Sequence, residues 1–160
     1  MWKKWIHGID DLVASISLVG VISITVTNVI FRYIFNAPVL WAEEVSLGLY
    51  VWLVFIGASS TMKRNGHIGI DYFVELMPDK MKRFVKFIRA GVIYFVLLYV
   101  FIYLGYELAA QAAYKVTPSL RISYQWIDIA VPIGGILMIY HFTRNLIQSS
   151  QNDLSKKGDI

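Results

Sequence analysis

The fold of this chain is decided by residues 32–71, which read RYIFNAPVLWAEEVSLGLYVWLVFIGASSTMKRNGHIGID. The stretch opens on Arg32, carries adjacent carboxylates at Glu43 and Glu44, and then runs through apolar residues to Met62. An apolar run of about 17–25 residues is long enough to cross a bilayer as a helix. Charged residues beside the hydrocarbon core are costly and are placed mainly where they pair or function. The stretch therefore predicts a membrane helix whose polar entrance is the first place to look for function.

The composition of the whole chain agrees with a membrane protein. Of its 160 residues 57% are hydrophobic and 16% charged, whereas a soluble domain carries about 45–50% apolar and about 25% charged residues. Apolar residues form four blocks, at roughly 12–35, 45–62, 90–114 and 124–147. We therefore expect an all-α integral membrane protein with four transmembrane helices in one domain, residues 1–147. A polar tail, residues 148–160, is expected to be disordered and cytoplasmic.

Several protein classes are excluded or disfavoured by simple counts. The chain has no cysteine, so disulfides, thiolate metal sites and cysteine nucleophiles are excluded. The net charge of +4 clusters near block ends, which favours lipid headgroups over nucleic acid. Lys3 and Lys4 precede the first apolar block, as in a signal peptide, but that block is too long and lacks a small-residue cleavage site. We interpret it as a retained first span.

The distribution of lysine and arginine predicts the orientation in the membrane. The head, the second loop and the tail hold twelve of these residues, and the first and third loops hold three. By the positive-inside rule both termini and the second loop are cytoplasmic. The helix after Pro78 begins with a ramp of basic residues suited to anionic lipid headgroups; these lipid-interface candidates are Lys80, Lys82, Arg83, Lys86 and Arg89.

The first loop and the start of the second span allow three interpretations. Asn36-Ala37-Pro38 ends the first helix, and the amphipathic segment 39–44 is expected to lie along the membrane face with Trp41 at the interface. Glu43 and Glu44 could be solvated carboxylates, or one could pair with Arg32 and tie the first two spans together. A proton or ion relay is disfavoured because both residues lie at the end of a span.

Two further patterns predict local structure. His67 and Asp71 are four residues apart, so they share one face of the short interfacial helix predicted over 67–77. A zinc site would need a third ligand, and none is near in the sequence, so a hydrogen-bonded cap or loop pair is favoured. Pro132, followed by Gly134-Gly135, predicts a kink or a late helix start in the fourth span.

The remaining side chains argue against an enzyme and against any cofactor. The sequence shows no Ser/His/Asp set, metal cluster or phosphate-binding loop. A four-helix haem anchor would need histidines within its spans, and His7, His67 and His141 are placed at ends or in loops. A small exporter would need a carboxylate deep in a span, and no carboxylate of this sequence is expected there. A membrane partner subunit fits best, with a stand-alone channel or exporter and an electron-transfer anchor as alternatives.

The chain also resembles a known family. Arg32-Tyr33, then Trp41-Ala42-Glu43-Glu44, then Trp52 and Gly57-Ala58 are similar to the small membrane (Q) subunit of tripartite ATP-independent periplasmic (TRAP) transporters. His67 to Asp71 ahead of Pro78 agrees as well, as do Thr117-Pro118-Ser119-Leu120-Arg121-Ile122 with Tyr124 and Pro132-Ile133-Gly134-Gly135. The resemblance covers nearly the whole chain in order. One departure is Ser123, where many relatives carry a proline.

The resemblance implies a three-part secondary transporter in a bacterial inner membrane. A soluble periplasmic protein captures an organic anion, and a large multi-span subunit carries it inward, elevator-fashion, driven by a sodium gradient. This chain is implied to brace the large subunit without a transport site of its own. It looks closest to sialic acid systems, with a C4-dicarboxylate or another carboxylate as the fallback. The structural and partner-interface candidates are Arg32, Trp41, Glu43, Glu44, Trp52, His67, Asp71 and Pro132.

Overall fold

A computed structural model describes residues 2–63 and 78–158 of the chain. Four of its helices are long and apolar enough to cross a membrane, over Asp10–Ile34, Leu40–Lys63, Phe84–Ala112 and Gln125–Gln148. The prediction of an all-α integral membrane fold with four spans is confirmed. His67, Asp71 and the predicted interfacial helix lie outside the described residues.

The helices follow one another in five elements. α1 is Trp2–Ile34 and α2 is Leu40–Lys63. α3 is continuous from Asp79–Phe95 through a π-helical stretch, Val96–Leu104, to Gly105–Ala112. α4 is the short helix Gln125–Asp128, and α5 is Ala130–Gly158. The break at Ile129 confirms the late helix start, and Pro132 lies in the first turn of α5, where its missing N–H costs nothing.

Two elements differ from the sequence-based expectation at the chain ends. α1 begins at Trp2, well before the first apolar block, and α5 continues to Gly158 through the tail that we expected to be disordered. Once a helix has nucleated in an apolar span, each added residue gains one hydrogen bond. Polar residues can therefore extend a span on both sides, and the expectation of a disordered tail is wrong as far as Gly158.

The segment 39–44 is not a separate interfacial helix, contrary to expectation. Asn36 has a positive φ of 49°, a backbone conformation that asparagine tolerates, and it turns the chain after α1. The Val39 N–H then donates to the Asn28 side-chain oxygen at 2.9 Å. Because this contact caps the new helix against α1, α2 begins at once at Leu40 and runs unbroken to Lys63.

The four spans form an open row in which α2 and α5 are the inner helices and α5 is the more buried of the two. α1 packs along α2, α2 along α5, and α5 along the π-helical part of α3. Within the most apolar 18-residue segment of each span, 39% of residues are buried in the fourth span and 6% in the first and in the third. α1 and α3 therefore lie at opposite ends of the row, and each exposes a broad apolar surface.

Close packing on α5 depends on two adjacent glycines. A Cβ at Gly134 would lie 2.9 Å from both the Cβ and the carbonyl oxygen of Phe55, on α2. A Cβ at Gly135 would lie 2.8 Å from the Cβ of Phe101, on α3. The rings of Phe55 and Phe101 meet edge to face with centroids 5.9 Å apart. The glycine pair thus lets α2 and α3 approach the same stretch of α5.

We expect Gly134→Ala to destabilise the bundle by about 1–3 kcal/mol, because the added methyl group meets backbone as well as side chain and forces α2 away from α5. The measurement is thermal unfolding of the detergent-purified protein followed by helical circular dichroism. Gly57→Ala is the matched control, because a Cβ there meets nothing within 4 Å. Equal melting temperatures for the two variants would contradict the close-packing argument.

Candidate functional site: polar contacts at the two ends of the helix row

Of the three interpretations of the first loop, the ion pair between the first two spans is the one present. Arg32, in the last turn of α1, donates through Nη2 to Oε1 of Glu43, in the first turn of α2, at 2.5 Å. This confirms the hypothesis that one of the two adjacent carboxylates pairs with Arg32. The two side chains are 50% and 62% exposed, so the pair contributes little stability, about 0–1 kcal/mol. Its main effect is to fix the geometry of the α1–α2 turn.

Glu44 has a different role, which sequence reasoning missed. Its Oε1 accepts a hydrogen bond from the Ser119 N–H at 2.6 Å, and its Oε2 accepts one from the Leu120 N–H at 2.9 Å. Both amides belong to the loop between α3 and α4, residues 113–124, which we call the outer loop after the orientation that the positive-inside rule predicts. Hydrogen bonds from backbone amides to a carboxylate are among the stronger ones in proteins. One carboxylate therefore holds the turn between α1 and α2, and its neighbour holds the outer loop.

The outer loop is shaped by Thr117, which is fully buried. The Thr117 N–H donates to the Ile122 carbonyl at 2.8 Å, and the Thr117 hydroxyl accepts from the Ile122 N–H at 3.2 Å. Arg121 takes a positive φ of 54° within this turn. These bonds close the loop so that the Ser119 and Leu120 amides point together at Glu44. The Thr-Pro-Ser-Leu-Arg motif thus has a structural explanation in the turn it forms.

Trp52 connects the second span to α4. Its indole N–H donates to the Trp126 carbonyl at 3.2 Å. Below the outer loop, Trp52 and Trp126 line a cavity of about 220 Å³ whose walls are nearly all apolar. Trp41, at the start of α2, is half exposed. The basic candidates Lys80, Lys82, Arg83, Lys86 and Arg89 all lie in the first turns of α3.

At the opposite ends of α1 and α2 lies a buried polar cluster. Asp10 of α1 is fully buried, and its Oδ2 lies 2.6 Å from Nε2 of His141, on α5. The Ser59 hydroxyl, on α2, donates to the same Asp10 oxygen at 3.5 Å. All three side chains are at most 2% exposed. The cluster, which we call the inner cluster after the same predicted orientation, joins three spans at one point.

The expected position of His141 at a polar helix exit is therefore wrong. α1 starts early enough to bring Asp10 beside the end of α2, and the parallel α2 and α5 place Ser59 and His141 at the same level. Burying a charged group without a partner is costly, so a carboxylate at the edge of a span needs partners from neighbouring helices. Asp10 next to Asp11 at the edge of the first apolar block was the signal available in the sequence.

Further contacts surround the inner cluster. Asp11 accepts a hydrogen bond from the Ser60 hydroxyl and forms an ion pair with Lys63, whose Nζ lies 3.1 Å from Asp11 Oδ2. The Asn145 side-chain amide, on α5, donates to the Met62 carbonyl at 2.8 Å. α1 and α2 are therefore tied by polar side chains at both ends. In residues 2–63 and 78–158, no group of three or more His, Cys, Asp or Glu side chains could hold a metal ion.

Comparison with known proteins places the chain in a family. A sequence model described as "Tripartite ATP-independent periplasmic transporters, DctQ component" matches residues 21–152. The sialic acid TRAP transporter small permease protein SiaQ of Vibrio cholerae is 26% identical over 140 residues, which cover 88% of this chain and 80% of SiaQ. The C4-dicarboxylate small permease protein DctQ of the same organism is 31% identical over 80 residues, 50% of this chain and 34% of DctQ.

A longer relative also matches. The sialic acid TRAP transporter permease protein SiaT of Haemophilus influenzae is 28% identical over 140 residues, which cover 87% of this chain but 22% of SiaT. This chain therefore spans about a fifth of the length of that relative. Because the family model covers most of the described spans and the fold has the four membrane helices expected, the chain belongs to the DctQ-component family of TRAP transporters, as a multi-pass small permease protein of a bacterial membrane.

Proposed function

We propose that this chain is the small scaffold subunit of a sodium-coupled TRAP secondary transporter in a bacterial inner membrane, with both termini cytoplasmic. A periplasmic binding protein delivers an organic acid, with sialic acid favoured over a C4-dicarboxylate. A large permease subunit carries the acid inward. This chain has no transport site and braces the large permease while its transport domain moves.

The bracing role is supported by the polar side chains near the ends of the spans, which bind other parts of this same chain. Arg32–Glu43 at one end and Asp11–Lys63 at the other join α1 to α2, while Asp10 reaches α5 and Glu44 holds the outer loop. Contacts of this kind fix helices relative to one another. A scaffold has to keep its shape while its partner moves. Ion pairs and hydrogen bonds within the chain therefore suit a scaffold better than a transport role.

The match to SiaT supports the assignment of the partner. In SiaT, a segment similar to this chain is part of a much longer permease chain. Segments joined in one protein must lie near each other in the membrane, so the similar segment here is expected to pair with a separate large permease. The names of SiaT and SiaQ also support sialic acid as the substrate.

The sequence-selected residues receive the following proposed roles. Arg32, Glu43 and Glu44 fix the geometry of the outer side, with Trp41 at the interface. Trp52 and Pro132 shape α2 and α5 where the spans meet, and His67 and Asp71 stay candidates for a partner interface. The basic residues Lys80, Lys82, Arg83, Lys86 and Arg89 contact headgroups of the cytoplasmic leaflet.

The test is purification of the tagged chain from its native membrane in mild detergent, with mass spectrometry of what accompanies it. We expect a multi-span TRAP permease in near one-to-one ratio. Deletion of this chain should abolish sialic acid uptake, and charge reversal by Glu44→Lys should lower uptake and complex yield. A chain that purifies alone and moves solute by itself in liposomes would overturn the proposal.

A further inference from the structure

The outward side of α3 carries a stripe of residues at four-residue spacing. We call it the aromatic stripe; its members are Phe87, Gly91, Phe95, Tyr99 and Tyr103. All five are exposed. The rings of Phe95 and Tyr99 stack with centroids 5.5 Å apart, and those of Tyr99 and Tyr103 stack at 5.7 Å. The last two residues lie in the π-helical stretch, a rare backbone form that occurs often at functional sites.

The stripe lies opposite the packed side of α3. Toward α5, the Tyr94 hydroxyl bonds to the Thr143 hydroxyl at 2.7 Å, Phe101 lies against Gly135, and Gly105 lies against Val131. Because α3 is at the end of the helix row and packs mainly on α5, its other side faces away from the chain. The stripe is thus an ordered surface that the chain leaves uncovered.

The depth of the two tyrosines decides what can cover them. The third span is Phe84–Ala112, whose middle position is 98, so Tyr99 lies next to the middle of the bilayer. At about 1.5 Å per residue, Tyr103 lies only about one turn away. The hydrocarbon core extends about 15 Å to either side of its middle, half of about 30 Å. A tyrosine side chain is too short to reach water from there.

Neither hydroxyl is satisfied within the part of the chain that the structure describes: the contacts of Tyr99 and Tyr103 there are ring contacts. A hydroxyl surrounded by hydrocarbon, with no acceptor, is costly. Lipid tails offer no acceptor, whereas a neighbouring helix offers carbonyl and side-chain oxygens. The two hydroxyls therefore need a neighbouring protein helix that supplies hydrogen-bond acceptors.

The exposed surface of α1 shows what a lipid-facing surface of this chain looks like. It carries aliphatic residues, among them Ile16, Val19, Ile22 and Val26, and its exposed Ser and Thr hydroxyls can bond to the preceding turn of the same helix. It has no aromatic hydroxyl at that depth. Gly91 adds a second contrast, because a Cβ there would meet nothing within 4 Å. A small residue on an exposed membrane helix lets a second helix backbone come close. The aromatic stripe thus has room for a second helix at Gly91 and two hydrogen-bonding groups, the hydroxyls of Tyr99 and Tyr103, further along α3.

We infer that the aromatic stripe of α3 is the surface on which the large permease docks. A helix of that permease seats against Gly91, and oxygen acceptors of the permease bind the hydroxyls of Tyr99 and Tyr103. The inference rests on the proposed function, since it takes the large permease as the partner. It assigns the contact to α3 and leaves the aliphatic surface of α1 to lipid.

The test is photo-crosslinking in the native membrane. p-Benzoylphenylalanine is placed at Tyr99 or Tyr103, and at Val19 of α1 as the control, which is comparably exposed. We expect adducts with the large permease, identified by mass, from the two stripe positions only. Gly91→Phe should lower the yield of co-purified permease about tenfold, the effect of about 1.4 kcal/mol of lost binding free energy. Val19→Phe should leave the yield unchanged, and both variants should keep the unfolding curve of the parent chain.

The outcomes separate this inference from the proposed function. The inference is wrong, and the scaffold role stands, if the unaltered chain co-purifies with the permease but only the Val19 variant crosslinks to it. The same holds if the variants at Tyr99 and Tyr103 crosslink to lipid or to a second copy of this chain. If the unaltered chain brings no permease, both fail. Tyr99→Phe with Tyr103→Phe isolates the hydroxyls: an undiminished permease yield from this ring-preserving variant would also overturn the docking geometry.

Discussion

Replacement of Asp10 by valine is expected to lower the free energy of unfolding by about 3 kcal/mol, because it leaves His141 buried without its carboxylate. This exceeds the roughly 0.6 kcal/mol average of interhelical hydrogen bonds in membrane helices. The difference arises because the inner cluster joins three helices and excludes water from its polar atoms. Unfolding in mixed micelles, followed by helical circular dichroism, measures the loss.

A double variant tests whether the loss comes from the pair itself. Asp10→Val with His141→Leu removes both polar groups, and replacing both partners of a buried pair by apolar groups is often close to neutral. The double variant is therefore expected to be more stable than the sum of the two single losses predicts. Glu107→Gln, on the exposed surface of α3, is the control and should stay within about 0.5 kcal/mol. Additive losses would show that the two residues act separately.

Replacement of Glu44 by glutamine is expected to loosen the outer loop. The carboxylate accepts from two backbone amides, and a hydrogen bond to a charged acceptor is stronger than one to a neutral acceptor. Amide hydrogen exchange at Ser119 and Leu120 should therefore become several-fold faster, because the loop opens more often once both amides lose the charged acceptor. The measurement is exchange mass spectrometry on the detergent-purified chain.

The neighbouring carboxylate supplies a matched control. Glu43→Gln removes the same charge one residue earlier but breaks only the exposed pair with Arg32, which contributes about 0–1 kcal/mol. Exchange at Ser119 and Leu120 should then stay close to that of the parent chain. If both variants accelerate exchange equally, the effect comes from lost charge at this end of α2 and the contact between Glu44 and the loop is unimportant.

Features that depend on neighbouring sequence were predictable. The four spans follow from apolar runs, and the Arg32–Glu43 pair follows from two helices joined by a short loop, where the partners are 11 residues apart. The break before Pro132 follows from the chemistry of proline. In each case the physical cause acts within one span or across one turn, so the residues that decide it are adjacent in the sequence.

Features that depend on how the spans are arranged were not predictable in the same way. His141 and Asp10 are 131 residues apart, and Glu44 and Ser119 are 75 apart. Hydropathy gives no order for the helices, because lipid supplies little hydrophobic drive for one pairing over another. The inner place of α5 depends on the glycine pair that fits Phe55 and Phe101. Asp10 of the inner cluster and the neighbouring Asp11 were visible in the sequence, but their partners were not.

The inner place of α5 has a consequence for biosynthesis. The ribosome makes α5 after α1, α2 and α3, yet α5 is the helix against which both α2 and α3 pack. The α1–α2 hairpin can close early through its own polar ties, while α3 enters the membrane before its main neighbour within the chain exists. The newly inserted protein therefore passes through a stage in which the α1–α2 hairpin and α3 lie in the lipid without contacting α5. Insertion of α5 converts these separate parts into one unit.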